Sequence, residues 1–230
     1  MSRKAFCFLD DNFLAYPGWK DILNELLNYG KPIVFKQGLD LRLMTDEKAE
    51  LLGRFKQFDI VKFAFDNLAD RDLIERKLEI WKKYNPKPAL FFTFCGFDRD
   101  DIWDEKFWIQ DVKDLLTRVI ILMKHQQMPY VMRYVKILDK TITVNGIQWQ
   151  RLYSLLNAWI NQARFFSTKS MYEYLAMEPN RNKFLIKFEE AFPDIVKEFF
   201  HEKFSNYKVA KIKLPKINKK EIEESYNTNQ

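Results

Sequence analysis

Polar clusters follow four short apolar runs in this 230-residue chain, and their side chains are of the kinds that hold charged or hydroxylated ligands. Asp10-Asp11-Asn12 closes the run Phe6-Cys7-Phe8-Leu9, offering two carboxylates and an amide suited to an ammonium group, ribose hydroxyls or a divalent metal. Asx residues also make turns, but a turn needs only one of them. Gln37-Gly38-Leu39-Asp40-Leu41-Arg42 follows Ile33-Val34-Phe35. Here Gly38 lets a ligand approach the backbone, Asp40 can accept, and Arg42 can clamp a carboxylate in two bonds; the alternative is an Asp40–Arg42 surface pair. Asp66-Asn67 after the run from Val61 to Phe65 is either a site acid or a helix-capping turn. Gly96-Phe97-Asp98 ends the run from Leu90 to Cys95 and leads into Asp100, Asp101, Asp104 and Glu105. Acids favour the first turn of a helix, so this stretch reads as a solvated helix start rather than a metal site. Arg133, near the end of a fifth run, sets one basic group against several acids. His125 and His201 fall in helical patterns away from these clusters, and no Ser-His-Asp set is visible.

These clusters need a scaffold that brings them together. Each run is short and rich in Phe, Val or Ile, as expected of a strand buried on both faces, and each is followed by a helical pattern. The cycle repeats about every thirty residues, the length of a βα unit. Parallel strands point their carboxyl ends the same way, so the acids should share one rim, where α/β folds place ligands. Ile22, Leu23, Leu26 and Leu27 predict a helix over 18–29, stopped by Gly30. Thr45 can cap a second helix, although Lys48 stands where a capping box has Glu. Leu73, Ile74, Leu78 and Trp81 predict a third over 70–83, and further helices are expected over 112–126, 148–162, 170–177 and 181–200. The fold class is therefore α/β: a partial TIM-like (β/α) barrel of parallel strands over 1–140, incomplete at its N-terminal edge, with auxiliary helices over 141–206 packed on it. A basic, flexible tail over 207–230 completes the expected organisation. Met1 stands four residues before the first strand, so residues 5–9 are expected to form an exposed sheet edge.

Composition fits one aromatic-rich core, with 47% hydrophobic residues, 21 Phe, 10 Tyr and 6 Trp. The net charge of +6 suits nucleic acid or an anionic substrate, but lysines of the last segment bias it, and Lys208 to Lys220 is the stretch that would touch nucleic acid. Cys7 and Cys95 both fall within predicted buried strands and read as reduced core thiols. No apolar stretch has the length of a membrane span and no signal peptide is visible, which points to the cytoplasm.

At these residues the chain resembles the radical S-adenosylmethionine (radical SAM) superfamily. The resemblance rests on an ordered set: Asp-Asp-Asn at 10–12, Gln-Gly-Leu-Asp-Leu-Arg at 37–42, Thr-Asp-Glu at 45–47, Ala-Phe-Asp at 64–66, Gly-Phe-Asp at 96–98 and Pro-Tyr-Val-Met-Arg-Tyr at 129–134. Trp159-Ile160-Asn161-Gln162 and Phe165-Phe166 extend it, so that it spans roughly residues 5–205. It implies a partial barrel binding S-adenosylmethionine, with Asp10, Asp11 and Asn12 toward the methionine amino group and Gln37, Asp40 and Arg42 toward the ribose or carboxylate. Asp66, Asp98 and Arg133 would face the substrate side. Asp-Asp-Asn departs from the Gly-Gly-Glu commoner in that superfamily. The Cys-x-x-x-Cys-x-x-Cys loop that holds the family's [4Fe-4S] cluster is missing from this sequence, and Cys7 and Cys95 cannot replace its three thiolates. The cluster would need ligands from another segment or chain, one that also supplies the first βα unit. The chain then reads as the C-terminal part, or a cluster-less relative, of an enzyme of S-adenosylmethionine-dependent radical chemistry. The alternatives are a non-catalytic barrel binding a ligand or partner, and a metal-dependent barrel hydrolase using Asp10, Asp11, Asp66 and Asp98.

Overall fold

A computed structural model of the protein describes residues 5–10, 12–56, 59–100, 102–137 and 141–207. Strands and helices alternate as the apolar runs require: β1 (Phe6–Phe8), α1 (Trp19–Leu27), β2 (Ile33–Phe35), α2 (Asp46–Gly53), β3 (Lys62–Ala64), α3 (Arg71–Tyr84), β4 (Leu90–Cys95), α4 (Glu105–Lys124) and β5 (Met128–Arg133). All strand pairs among these are parallel: β1 with β2, β3 with β4, and β4 with β5. Between the two ladders, the segment after β2 meets β3 through one backbone bond outside the regular ladder, Leu39 N to Lys62 O at 2.9 Å, and Ile33 N of β2 donates to Lys56 O in the segment after α2 at 3.3 Å. The strands thus follow one another in sequence order, and their carboxyl ends lie on one side. Among the described residues β1 pairs only with β2 and β5 only with β4, so the fold is α/β with parallel sheets and no closed barrel.

Helix α3 buries Ile74, Leu78 and Trp81, one apolar face at helical spacing, against the strands. Helix α4 starts earlier than its apolar residues suggest, because Asp104 caps it by accepting from Phe107 N at 2.7 Å. It contributes to two cores along its length: Ile121 and Leu122 near its end pack with β2, β3 and α1–α3, while Val112, Leu115, Leu116 and Val119 pack with the C-terminal helices. Each such fully buried aliphatic side chain contributes about 1.5–3 kcal/mol.

Beyond β5 a two-strand antiparallel hairpin, β6 (Thr143–Val144) and β7 (Ile147–Gln148), precedes α5 (Trp149–Ile160), α6 (Ala163–Phe166), α7 (Met171–Ala176) and α8 (Pro179–Ala191). The hairpin turns on Asn145 and Gly146, both at positive φ, a geometry that Asn-Gly favours. The helix expected over 181–200 is broken at Phe192, which lies outside the helical region because Pro193 follows it. Cys95 is buried as expected, but Cys7 is exposed. Phe6 and Phe8 turn toward the core, so alternation along β1 sends Cys7 to the opposite, uncovered face. Of the tail expected over 207–230, Tyr207 ends a 3-10 turn, Phe204–Tyr207, and the remainder, with its expected flexibility and nucleic-acid contacts, lies outside the described residues. No helix among the described residues is long and apolar enough to cross a membrane.

Gly38 controls the approach of β2 to β3. Its φ is +91°, and a Cβ there would stand 3.0 Å from Lys62 O, beside the Leu39–Lys62 hydrogen bond. Gly38→Ala should therefore cost about 1–2 kcal/mol from the backbone conformation alone, read as a lower urea midpoint; an unchanged midpoint would mean that β2 and β3 do not meet there.

Candidate functional site

The carboxyl ends of β1 to β4 enclose a cleft of about 450 Å³, and five of the residues singled out in the sequence line it: Asn12, Gln37, Asp40, Arg42 and Asp66. Gly38, Asn67 and Asp70 join them, and Phe92 adds an aromatic surface. The remaining candidates are placed otherwise. Asp10 ends β1 and accepts from Asn12 N at 2.7 Å, closing an Asx turn, whereas Asp11 lies outside the described residues. Asp98 accepts from Asp100 N and Ile102 N, each at 2.9 Å, so it shapes the turn leading into α4 and does not line this cleft. Arg133 points away to donate to Ser154 Oγ at 3.1 Å and lines a separate cavity of about 50 Å³ with Trp108 and Tyr153.

Asp40 and Arg42 form the pair that was the alternative reading of their spacing. Arg42 donates from Nε and Nη2 to the two carboxylate oxygens of Asp40, both at 3.0 Å, and its Nη1 lies 3.6 Å from Asp70. Its backbone N–H also donates to Asp40, which caps the 3-10 turn Leu41–Leu43. Burial alone would raise the Asp40 carboxyl; hydrogen bonds from Arg42 and its charge overcome this and hold the group below its ordinary value. Arg42 is thus committed to acids of the protein, and the cleft carries Asp40, Asp66 and Asp70 against a single guanidinium. Its excess charge is negative, which favours a cationic ligand.

Two half-buried lysines hold the turn that carries this pair. Lys48 donates to Leu14 O at 2.9 Å and to Leu43 O at 3.1 Å, and Lys77 donates to Met44 O at 2.6 Å. Burial first, and then the charge of Lys77, lowers the Lys48 pKa. Thr45 caps α2 as expected, and Lys48 replaces the capping-box Glu because its amine serves neighbouring carbonyls instead.

Asp66 accepts from Phe94 N at 2.8 Å and so ties the end of β3 to β4. Beneath it lies a network that the motifs did not reveal. Arg118, 2% exposed, donates to Phe65 O and Phe94 O at 2.9 Å each and to Asp114 O at 3.2 Å. Asp111, two helical turns earlier on α4, accepts from Gly96 N at 3.0 Å and from the Tyr153 hydroxyl. Burial raises the Asp111 carboxyl above its ordinary value despite those bonds and the nearby Arg118, and it likewise pushes up the Cys95 thiol and the Tyr153 phenol. The legible signal was a pair of charges, Asp111 and Arg118, on the otherwise apolar stripe of Leu115 and Leu122.

No group of three or more His, Cys, Asp or Glu among the described residues could hold a metal ion. The chain matches no protein-family model, no curated protein and no solved structure.

Because Asp111 binds its proton more tightly in the folded state than at its ordinary value of 3.8, its contribution to stability is fullest below that value and is lost as pH rises through the folded value. Wild-type stability should fall relative to Asp111→Asn as pH is raised from about 4 to about 7. A constant difference across that range, measured by urea denaturation, would show that burial does not perturb this carboxyl.

Proposed function

We propose that the cleft at the strand ends binds S-adenosylmethionine and that the chain is a partial (β/α) barrel of the radical SAM type. The observation that carries this reading is the convergence of Asn12, Gln37, the Asp40–Arg42 pair and Asp66 on one cleft. S-adenosylmethionine bears a sulfonium and an ammonium against one carboxylate, and a cleft with an excess of carboxylates favours that net positive charge. The amides of Asn12, Gln37 and Asn67 suit ribose hydroxyls and the adenine edge, and the Phe92 ring suits the base.

The residues here do not fit a [4Fe-4S] cluster. Such a cluster needs thiolates converging on one point, whereas Cys7 lies exposed on β1 and Cys95 lies buried on β4, its Sγ–H donating to Met132 O at 3.5 Å. Radical chemistry would therefore require cluster ligands from another segment or chain. The same cysteine placement favours a second reading, in which the barrel binds its ligand and performs no reaction.

Calorimetric titration separates this reading from a cleft without a cationic ligand. S-adenosylmethionine should bind more tightly than S-adenosylhomocysteine, which lacks the sulfonium charge. Asp66→Asn keeps an acceptor for Phe94 N while removing a charge, and it should weaken S-adenosylmethionine about 5- to 10-fold, up to about 1.4 kcal/mol, with little effect on S-adenosylhomocysteine. Absence of saturable binding, or equal affinity for the two compounds, would overturn the proposal.

A further inference from the structure

Among the described residues β1 and β5 each pair on one side only, and the protein treats these two outer edges differently. On β5 the outward backbone is already used. Pro129 has no N–H to offer, and the side chain of Asn161 accepts from Val131 N at 2.7 Å and donates to Val131 O at 3.0 Å. On β1, Phe6 N donates to Pro32 O at 2.9 Å and Phe8 O accepts from Lys36 N at 3.0 Å, both toward β2. The alternation of a parallel ladder therefore turns the N–H and C=O of Cys7 outward. Cys7 is exposed and Leu9 is 72% exposed. An edge left open in this way is a template for another strand.

The sequence around β1 specifies which strand fits. It reads Arg3-Lys4-Ala5-Phe6-Cys7-Phe8-Leu9-Asp10-Asp11, basic before the strand and acidic after it, with Cys7 at the centre. Antiparallel pairing of two copies about Cys7 sets Phe6 opposite Phe8, Ala5 opposite Leu9, Lys4 opposite Asp10 and Arg3 opposite Asp11. Phe6 and Phe8 both turn toward the core, so their side chains meet on one face. They do so at a position without ladder bonds, where side chains approach most closely, and aromatic and opposite-charge pairs stabilise antiparallel strands. Other registers lose this match. A shift of two residues sets a Phe against Lys4 or Asp10, and a shift of one sets a core-facing Phe against Cys7, which faces the other way.

We infer that β1 is a dimerisation edge, at which a second copy of this chain adds antiparallel about a two-fold axis through Cys7 and continues the sheet. Cys7 of one copy donates to and accepts from Cys7 of the other, and Ala5 does the same with Leu9. The contact is self-complementary, as a two-fold interface must be. It is independent of S-adenosylmethionine binding, because neither β1 nor Asp10 lines the polar cleft.

Sedimentation velocity of the full chain over a range of concentrations tests the assignment. The wild type should dimerise reversibly. Cys7→Pro removes the outward N–H while leaving the bonds to β2 in place, and it should weaken the dimer at least about tenfold with an unchanged circular dichroism spectrum. Two charge-reversed proteins, Arg3→Glu with Lys4→Glu and Asp10→Lys with Asp11→Lys, should each associate more weakly than the wild type. Mixed in equal amounts they should associate again, since every cross-strand pair is then of opposite sign. A monomer at every concentration, as when a different chain supplies the neighbouring strand, would overturn the inference. So would a dimer indifferent to Cys7→Pro, or a mixture that associates no better than its components.

Discussion

A buried guanidinium holds the ends of the central strands. Parallel ladders leave backbone carbonyls unpaired where they stop, and such groups are costly when water is excluded. Arg118 meets this demand from one helix position, donating to the last carbonyl region of β3 at Phe65 and of β4 at Phe94. Burying that charge costs several kcal/mol, which the neighbouring Asp111 offsets only in part, so burial leaves the Arg118 guanidinium below its ordinary pKa. Asp111 extends the control by one step, since it accepts from Gly96 N and thereby sets the turn after β4. Gly96 has φ +77°, where an L side chain is strained, and a Cβ there would also have to displace the Ile137 Cδ1 that stands 2.3 Å away. Asp66, one residue beyond Phe65, is aimed by this arrangement toward the cleft.

The other half of the rim is held differently. Its 3-10 turn at Leu41–Leu43 has no strand to pair with and relies on Lys48 and Lys77, which donate to the carbonyls of Leu14, Leu43 and Met44. Ammonium groups suit this role because each has several donors on a flexible stem. The cleft thus stands between a rigid wall, built on a buried arginine, and a wall built on two half-buried lysines. Spending the basic residues on backbone carbonyls leaves the carboxylates of Asp40, Asp66 and Asp70 facing the cleft with Arg42 alone to balance them.

The strand and helix rhythm was legible because each apolar run is short and α3 repeats as an amphipathic helix, although β4 alternates buried with half-buried residues where a strand buried on both faces was expected. Convergence of Asn12, Gln37, Asp40 and Asp66 was legible for the same reason, since consecutive parallel strands must end together. Side-chain pairing across long separations was not: Arg118 meets Phe65 from 53 residues away, and no local pattern encodes that contact. Nor does a short apolar strand reveal which face will be covered, which is why Cys7 was expected inside. The Asn145-Gly146 turn and the break at Pro193 were written in local chemistry that the apolar periodicity of their surroundings obscured. Asp98 and Arg133 sit at strand ends as expected, yet a nearby backbone turn and Ser154 take their polar atoms elsewhere.

The most direct test of the ligand cleft is where its ligand touches the protein. Amide resonances of isotopically labelled protein, followed during titration with S-adenosylmethionine, should shift together at Asn12, Gly38, Asp66 and Asn67, which line one cleft from three strand ends. Shifts confined to residues outside that cleft, or none at saturating ligand, would contradict the assignment of these strand ends to S-adenosylmethionine.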